Sequence, residues 1–343
     1  MLGLSRYAVV TSMVGMSLVA CSVSPQVRAI PGLASSAAKV VVREHWRARM
    51  DGGAAKWDLL YVSNDIGTSR QQRGTVGVYR YWQQTLVQTL YGFKVPRGAC
   101  VDAANNVYIT DFGADDVVEY AHGGETPIRT LAAYAPLSCA VDQRSGDLAV
   151  ANWFKGVSIY RHGTGEPRTY TDSFLAGYYA LGYDSNDNLL VTDGCGYYNS
   201  DPTCLPADFA YLPSKAKSLV AIGLPGYYLN VSAILWDGRY WVIPAWAETC
   251  KISYACLTRI GISGGKATYV STTNLNDFDD PGAVAVYNDD NPKQQATQIA
   301  GPPGFYSNIV YFWNYPRGRK PVGRITDGVQ AARDAAISYR TVR

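Results

Sequence analysis

A repeated pair of short apolar strands is the feature that most constrains the fold of this chain. In each copy a strand ends in Asp, a few turn residues follow, and a second strand closes on Asp, Asn or Pro. The copies lie at 98–111, 138–152, 180–193 and 233–244, and their first strands end at Asp102, Asp142, Asp184 and Asp237. These intervals of roughly 40–50 residues are the period of a four-stranded propeller blade. The repeat therefore predicts an all-β propeller.

The two ends of the chain complete the set of blades. Residues 58–64 have the pattern of a second strand without a first, and residues 335–339 that of a first strand without a second. Joined, they make one blade whose closure removes the open sheet edge. A sixth unit pairs 281–287 with a second strand at 309–314, after an insertion. We expect a six-bladed β-propeller of four-stranded antiparallel blades over 57–343, closed by the N- and C-terminal strands.

The strand pairs resemble those of the NHL-repeat propeller family. The family has a first strand ending in Val-Asp and a second strand of the Tyr-Val-Ala-Asp type, and the pair Gly-Ala-Cys-Val-Asp102 and Val-Tyr-Ile-Thr-Asp111 matches both. Pro244 is a departure, because it replaces the Asp or Asn that ends the second strand. The resemblance covers roughly 57–343. It implies six blades around a central channel, in a family of ligand-binding and protein-binding modules with a minority of enzymes.

The N-terminus predicts export. Arg6 precedes an apolar run at 7–20 that is too short for a membrane-spanning helix of about 20 residues, as in a signal peptide. The run ends in Leu-Val-Ala-Cys21, which resembles the lipobox of bacterial lipoproteins and implies lipidation of Cys21 and a membrane anchor. An ordinary secretory signal with a chance Cys is the alternative. We expect a signal segment at 1–21, a tether and lead-in at 22–56, and an extracytoplasmic protein, periplasmic or on the cell surface.

Charge argues against nucleic-acid binding. The formal net charge is only +3, which is small for a chain of this size, and no Lys/Arg cluster gives the idea support. The low charged fraction of 17%, with 26 Tyr and 33 Gly, is typical of short aromatic strands bounded by turns. We expect a monomer whose partners are the membrane, through Cys21, and a glycan or an envelope protein.

Six cysteines remain after Cys21, an even number that suits an oxidising compartment. Cys195 with Cys204 and Cys250 with Cys256 each flank one loop, so we expect two local disulfides. Cys100 and Cys139 lie at similar points in successive first strands. They form either a third bridge or two buried thiols.

Insertions after second strands predict a binding face. The stretches 65–74, 194–216, 245–255 and 315–320 all follow predicted second strands, so we expect them on one face. The predicted ligand-binding residues there are Phe112, Trp153, Phe154, Tyr197, Tyr198, Trp246 and Tyr254. Aromatic faces with nearby Asp and Asn acceptors suit sugar rings or an extended peptide. The alternative is that these aromatic residues only pack long loops onto the propeller.

Recurrent acids have a structural and a chemical interpretation. The Asp residues that end first strands precede tight turns, where Asp accepts hydrogen bonds from the backbone two residues on. The polar residues that end predicted second strands are Asn64, Asp111, Asn152, Asp193 and Asn314. These cap turns, or else Asp111, Asn152 and Asp193 hold Ca²⁺ or another divalent cation at the channel mouth. This arrangement of acids and amides resembles the metal site of gluconolactonase-type propellers in architecture alone. Those enzymes also need a Glu on the inner strand of the first blade, and the corresponding strand here has none.

Nucleophilic catalysis has little support. Gly261-Ile-Ser-Gly-Gly265 has the Gly-x-Ser-x-Gly spacing but indicates a Gly-rich turn rather than a strand-to-helix nucleophile elbow, and His122 and His162 fall in turns that we expect to be exposed. The sequence favours a membrane-tethered propeller that binds a glycan or protein and needs no cofactor. The alternative is a metal-dependent lactonase-like or lyase-like enzyme with its site at the channel mouth. No catalytic residue is identified.

Overall fold

A computed structural model describes residues 53–66, 73–193, 207–250, 255–278, 282–288 and 296–340, and these lie in one compact unit, Val40–Arg343. Over the described residues the strands form six antiparallel sheets arranged as propeller blades. The expected six-bladed, all-β fold is confirmed. Helical structure in the described ranges is limited to the 3-10 turns Ala54–Lys56 and Arg161–Gly163. No helix in these ranges has the length and hydropathy of a membrane span.

Blades 1 to 3 have the most regular strands. Blade 1 has the order β25-β1-β2-β3, blade 2 the order β4-β5-β6-β7, and blade 3 the order β8-β9-β10-β11. Their bounds are β1 Leu59–Asn64, β2 Thr75–Arg80, β3 Thr85–Leu90, β4 Pro96–Val101, β5 Val107–Asp111, β6 Asp116–Tyr120, β7 Pro127–Ala132, β8 Pro136–Val141, β9 Leu148–Asn152, β10 Gly156–Tyr160, β11 Arg168–Tyr170 and β25 Ala332–Ser338.

Blades 4 to 6 have shorter inner strands. Blade 4 has the order β12-β13-β14-β15, and blade 6 the order β21-β22-β23-β24. In blade 5 both β16 and β17 pair with β18, which is followed by β19 and β20. Their bounds are β12 Ala180–Tyr183, β13 Leu189–Thr192, β14 Phe209–Leu212, β15 Val220–Ala221, β16 Tyr228–Leu229, β17 Leu235–Trp236, β18 Trp241–Ala247, β19 Ala255–Ser263, β20 Lys266–Asn274, β21 Ala285–Tyr287, β22 Gln298–Gly301, β23 Val310–Asn314 and β24 Gly323–Ile325.

Burial along each strand reflects its distance from the channel. Every residue of the second strands β5 and β9 is buried, because each such strand packs against a neighbouring blade on both sides. The inner strand β4 alternates between buried and half-buried residues. This period of two is expected when one strand face meets the core and the other faces the channel. The inner strands therefore supply the channel wall.

Strand order also defines two faces. We call upper the face that carries the loops between second and third strands and the links from one blade to the next. The lower face carries the turns between first and second strands and between third and fourth strands. Because the strands are antiparallel, these two sets of loops emerge at opposite ends of every blade.

The ring closes through both ends of the described chain, as predicted. Strands β1 and β25 pair from Leu59 with Ser338 to Asn64 with Ala332. The buried Asp58 carboxylate accepts hydrogen bonds from the Tyr287 hydroxyl at 3.0 Å and from the Arg340 N–H at 3.0 Å. The bond from Tyr287 ties the closing blade to blade 6, and the bond from Arg340 joins the two chain ends within the closing blade.

His122 is part of this closure, so the prediction that it is exposed is wrong. Its ring nitrogens lie 2.6 Å from the Ser338 hydroxyl and 3.1 Å from the Trp57 carbonyl. His162 is exposed, as expected, at the corresponding turn of blade 3. The two sequence contexts are nearly the same, and only the turn on blade 2 faces the closing blade.

Blade 6 corrects one strand assignment. Residues 309–314, predicted as a second strand ending at Asn314, form the third strand β23, which pairs with both β22 and β24. The second strand is β22, a short segment ending at Gly301. A Cβ at this glycine would lie 2.7 Å from the Cα of Val284, which directly precedes the neighbouring inner strand β21, so the backbone of the same blade leaves no room for a side chain there. The aromatic β23 has the stronger β-propensity, which explains the misassignment.

The observed topology corrects the position of one predicted insertion and the length of another. Residues 315–320 connect the third and fourth strands of blade 6, so they lie on the lower face rather than the upper face. The Tyr315 hydroxyl there donates to Asp237 at 2.6 Å, in a first-to-second-strand turn. The predicted insertion 194–216 ends earlier than expected, because it contains the third strand β14.

Disulfides join both neighbouring and distant parts of the chain. Cys100 and Cys139 are bonded across the inner strands of blades 2 and 3, which settles the open alternative in favour of a bridge. Cys250 and Cys256 are bonded as predicted, at the loop between β18 and β19. Cys195 and Cys204 lie outside the described residues. The two bridges indicate an oxidising, extracytoplasmic compartment.

Candidate functional site

The upper face of blades 2 and 3 carries an aromatic surface, which we define as Phe112, Tyr134, Trp153 and Phe154. Phe112 and Trp153 directly follow the second strands β5 and β9. Their N–H groups bond the carbonyls of Val95 at 3.0 Å and Ala135 at 3.3 Å in the links before the inner strands. These bonds hold both turns against the blade links. The aromatic side chains therefore emerge from ordered backbone.

The rings form a continuous series. The Phe112 and Trp153 centroids are 5.8 Å apart, and the Trp153 and Phe154 rings are stacked at 4.7 Å with an angle of 18°. Phe154 is 65% exposed and Tyr134 is 49% exposed, whereas Phe112 and Trp153 are half-buried. The Lys155 ammonium lies 5.3 Å from the Tyr134 ring centre. One end of the series is thus open to solvent and the other is anchored.

The other predicted binding residues do not join this surface within the described chain. Trp246 is half-buried at the end of β18, where it packs against the blade 5 and blade 6 cluster that includes Leu257 and Phe278. Tyr197, Tyr198 and Tyr254 lie outside the described residues. Phe112, Trp153 and Phe154 are therefore the predicted residues that the structure brings together.

The mouth of the channel on the upper face is a recess that sequence analysis missed. It encloses about 320 Å³ of space, including its opening. Its lining comes from all six blades: Arg97, Leu137, Ser138, Tyr179, Ser232, Ala283, Phe305, Arg333 and Asp334. Most of these residues lie at or just before the start of an inner strand. Aligning the blades on that position, rather than on strand ends, would have identified the recess.

Two arginines and two carboxylates meet at this mouth. The Nε atoms of Arg97 and Arg333 lie 3.5 Å and 3.7 Å from the same Oδ2 atom of the buried Asp65. Asp334 accepts hydrogen bonds from the Ala99 N–H at 2.9 Å and from the Ala335 N–H at 2.7 Å. The channel mouth is therefore a concentrated group of charges inside the protein.

Aromatic rings hold both guanidinium groups. Arg97 lies 5.1 Å from the Phe112 ring centre, and Arg333 lies 4.5 Å and 4.6 Å from the ring centres of Phe305 and Tyr306. Cation–π contacts of this kind fix the orientation of the guanidinium plane. Since Phe112 belongs to the aromatic surface, Arg97 connects that surface to the channel mouth.

Burial raises the pKa of Asp334 to about 7, while the two backbone N–H groups and the Arg333 charge act in the opposite direction. Desolvation dominates because the carboxyl sits among protein atoms at the recess. Asp334 thus changes charge near neutral pH. Strongly perturbed acids of this kind are concentrated at functional sites.

The residues of the predicted metal site make turn contacts. Asp111 accepts bonds from the N–H groups of Lys94 and Val95 at 2.8 Å each, and of Gly113 and Ala114 at 3.2 Å each. Asp193 accepts from the Asp208 N–H at 3.1 Å. The Asp111 bonds from Gly113 and Ala114 are those of the predicted turn cap, whereas the Asp193 bond reaches a residue 15 positions on, just before β14.

Asn152 is buried and donates to the Ser158 hydroxyl at 2.9 Å, and its Oδ1 has no hydrogen-bond partner among the described residues. The recess lining includes none of Asp111, Asn152 and Asp193. No group of three His, Cys, Asp or Glu side chains within the described ranges has a metal-binding arrangement. Ca²⁺ binding by these three residues stays a prediction.

The Asp residues that end first strands have the predicted structural role. Asp102, Asp142, Asp184 and Asp237 each accept a bond from the N–H two residues on, at 2.8–3.0 Å. The buried Asp237 is also paired with Arg259, whose Nε and Nη2 atoms each lie 3.0 Å from its Oδ2 atom. These acids are needed for the turns themselves.

Comparisons with known proteins agree with the fold and go no further. No family model and no curated protein sequence matches this chain. Among solved structures, a chain in the crystal structure of a nidogen/laminin complex superposes with a TM-score of 0.56 and 13% identity, over 83% of this chain and 99% of that one. The Myceliophteria thermophila Cps50 (Swd1) β-propeller domain gives a TM-score of 0.50 and 11% identity, over 76% and 83%.

A chain from the mitotic checkpoint complex gives a TM-score of 0.50 and 14% identity, over 71% of this chain and 69% of that one. Identities this low establish a shared architecture alone. The class that fold and site define is therefore a six-bladed β-propeller with a charged channel mouth beside an aromatic surface. A propeller of this class is compatible with either a binding or an enzymatic role.

Proposed function

We propose that this chain is an extracytoplasmic binding module that binds a glycan on the aromatic surface of its upper face. The observation that carries the proposal is the stacked pair of Trp153 and exposed Phe154, which is followed in the chain by Lys155 over the exposed Tyr134 ring. Sugar rings stack on flat aromatic faces while their hydroxyls find polar partners nearby. Lys155, next to Tyr134, supplies one such donor.

Rigidity of the platform supports binding over loop packing. Phe154 exposes 65% of its surface, so packing of the loop onto the propeller does not account for its position. The Cys100–Cys139 bridge joins the two blades that carry the surface. A preorganised platform lowers the entropy cost of binding, which matters for a ligand held by few contacts.

The finer parts of the proposal come from the sequence. Cys21, by its resemblance to a lipobox residue, would anchor the protein to a membrane, and the blades would be of the NHL type. In that setting the upper face would meet envelope polysaccharide. The alternative of a metal-dependent lactonase-like or lyase-like enzyme is tested below through Asp111.

The experiment is a titration of envelope polysaccharides and defined oligosaccharides against the protein and its Phe154→Ala variant. We expect about tenfold weaker binding in the variant, or about 1.4 kcal/mol. Tyr269→Ala is the matched control, because Tyr269 is 46% exposed on the outer strand β20 of blade 5. Equal affinity for Phe154→Ala and the unmodified protein would overturn the proposal.

A protein partner is the competing outcome. A photo-crosslinking residue at position 154 distinguishes the two ligand classes. Crosslinking to one defined envelope protein, with no oligosaccharide bound in the titration, would replace the glycan assignment.

A further inference from the structure

We infer that the channel mouth is a subsite for a carboxylate group, held by Arg97 and Arg333, so that the ligand is an acidic glycan carrying a uronic acid. This inference rests on the proposed function for the glycan and on the recess for the carboxylate. The two parts have separate tests. Neither depends on a bound metal.

Position is the first argument. Arg97 lines the recess and also lies over the Phe112 ring, at 5.1 Å from its centre. Phe112 is followed in the aromatic series by Trp153 and then by exposed Phe154. A saccharide lying along this series therefore ends at a guanidinium group. The recess is small, because its volume of about 320 Å³ includes the open space above it, so a terminal group such as a carboxylate would enter it and the sugar ring would stay outside.

Preorganisation is the second argument. The side chain of Arg333 is only 2% exposed and that of Arg97 is 12% exposed. Each guanidinium is oriented from one side by Asp65 and from another by aromatic rings. Little side-chain entropy is left to lose when a carboxylate binds. Planar guanidinium groups match carboxylate geometry better than ammonium groups do.

Charge balance is the third argument. Among the described residues at the mouth, two guanidinium groups face the carboxylates of Asp65 and Asp334. Since the pKa of Asp334 is about 7, the net charge of these four groups rises from zero towards one positive charge as pH falls through neutrality. A carboxylate ligand compensates that charge inside a recess of low dielectric constant, where such pairing is stronger than in water.

A purely structural role for the arginines is the alternative. Buried ion pairs add little net stability compared with apolar side chains of similar volume, so a contribution to stability does not by itself explain two arginines at this place. A structural network also does not require its charges to line a recess to which all six blades contribute. The alternative predicts no discrimination between acidic and neutral ligands.

The test uses disaccharide pairs that differ only in a uronic-acid carboxylate versus a hydroxymethyl group, titrated calorimetrically. We expect the acidic member of a pair to bind at least tenfold more tightly. Arg97→Gln should lose this preference and keep the affinity for the neutral member. Arg97→Lys should restore part of the preference, because it keeps the charge without the planar fork.

Arg144→Gln is the matched control. Arg144 is 63% exposed and pairs with Asp187 at 3.2 Å on the lower face, so the preference should not change. Thermal unfolding of every variant checks that the fold is intact. If Arg97→Gln does not fold, Asp334→Asn tests the same site, because it removes a negative charge and should strengthen binding of the acidic member above pH 7.

The outcomes separate the two proposals. Equal affinity for both members of the pairs, or a preference that survives Arg97→Gln, would overturn the carboxylate subsite and leave the aromatic platform standing. Binding of acidic members alone, unaffected by Phe154→Ala, would support the subsite and overturn the platform. Absence of binding by all pairs overturns both. Binding of N-acetylalanine but of no saccharide would assign the mouth to a peptide carboxylate and overturn the glycan.

Discussion

The sulfur atoms of Cys100 and Cys139 are bonded, which joins the innermost strands of blades 2 and 3 at a Cα–Cα distance of 5.7 Å. Arg97 lies three residues before Cys100, and Ser138 directly precedes Cys139; both line the channel mouth. The bridge therefore fixes the spacing of two wall segments of the recess. It also joins the blades that carry the aromatic surface.

Replacing both cysteines should lower stability without changing the fold. The Cys100–Cys139 bridge spans 39 residues, and that of Cys250 with Cys256 spans six. Loop-closure entropy gives about 4 kcal/mol for the longer loop and about 2 kcal/mol for the shorter one. Denaturant unfolding of the Cys100→Ser/Cys139→Ser and Cys250→Ser/Cys256→Ser proteins measures both. A larger loss from the shorter loop would contradict the entropic account.

Asp111→Ala tests turn capping against metal binding. The change leaves four backbone N–H groups without their carboxylate acceptor, so we expect a loss of about 2 kcal/mol in the free energy of unfolding. Mass spectrometry of the unmodified protein gives its metal content. About one divalent ion per chain, absent from both Asp111→Ala and Asp193→Ala, would support the metal-dependent alternative instead.

His122 should make the closure sensitive to mild acid. Burial lowers the pKa of the His122 ring, with a smaller opposing effect from the Trp57 carbonyl. Because the unfolded chain then binds the proton more readily, the contribution of His122 to stability is constant above about pH 6.5 and falls as pH decreases below it.

We expect His122→Gln to make the free energy of unfolding less dependent on pH between pH 7 and pH 5 than it is in the unmodified protein. Denaturant unfolding as a function of pH measures it. His162→Gln, at the exposed corresponding turn, is the control and should leave the dependence unchanged. A His122→Gln profile parallel to that of the unmodified protein would show that the ring contributes nothing to the closure.

Asp334 should have the opposite effect at higher pH. Its folded-state pKa of about 7 exceeds the ordinary value of 3.8, so the folded protein binds the proton more tightly. The stabilisation is full below about pH 4 and is lost as pH rises through 7. A full shift corresponds to about 4 kcal/mol, and the partial solvent access of this side chain reduces the expectation to about 2 kcal/mol.

Asp334→Asn should flatten stability between pH 4 and pH 8, and a profile that keeps its slope would contradict the assignment. Carbon-detected NMR of the Asp334 carboxyl measures the pKa directly. A value near 4 would show that solvent, rather than protein, surrounds the group.

The sequence predicted the architecture because the repeat of strand, Asp turn and strand is local. Asp102 and Asp184 satisfy their own turns within four residues, and the buried second strands carry continuous apolar runs. Closure by the two chain ends also followed from incomplete patterns. The same local logic failed at β23, where an aromatic third strand ending in Asn314 has the appearance of a second strand.

Residues distant in the sequence determine the candidate site. Arg97 and Arg333 are 236 positions apart, and only closure of the ring places both beside Asp65. The exposure of Phe154, the burial of His122 and the Cys100–Cys139 pairing likewise depend on which blade is the neighbour. The sequence by itself determined the blade, because strand periodicity and turn chemistry act over a few residues. The tertiary structure decided the channel mouth, because its charges come from blades that meet only in the closed ring.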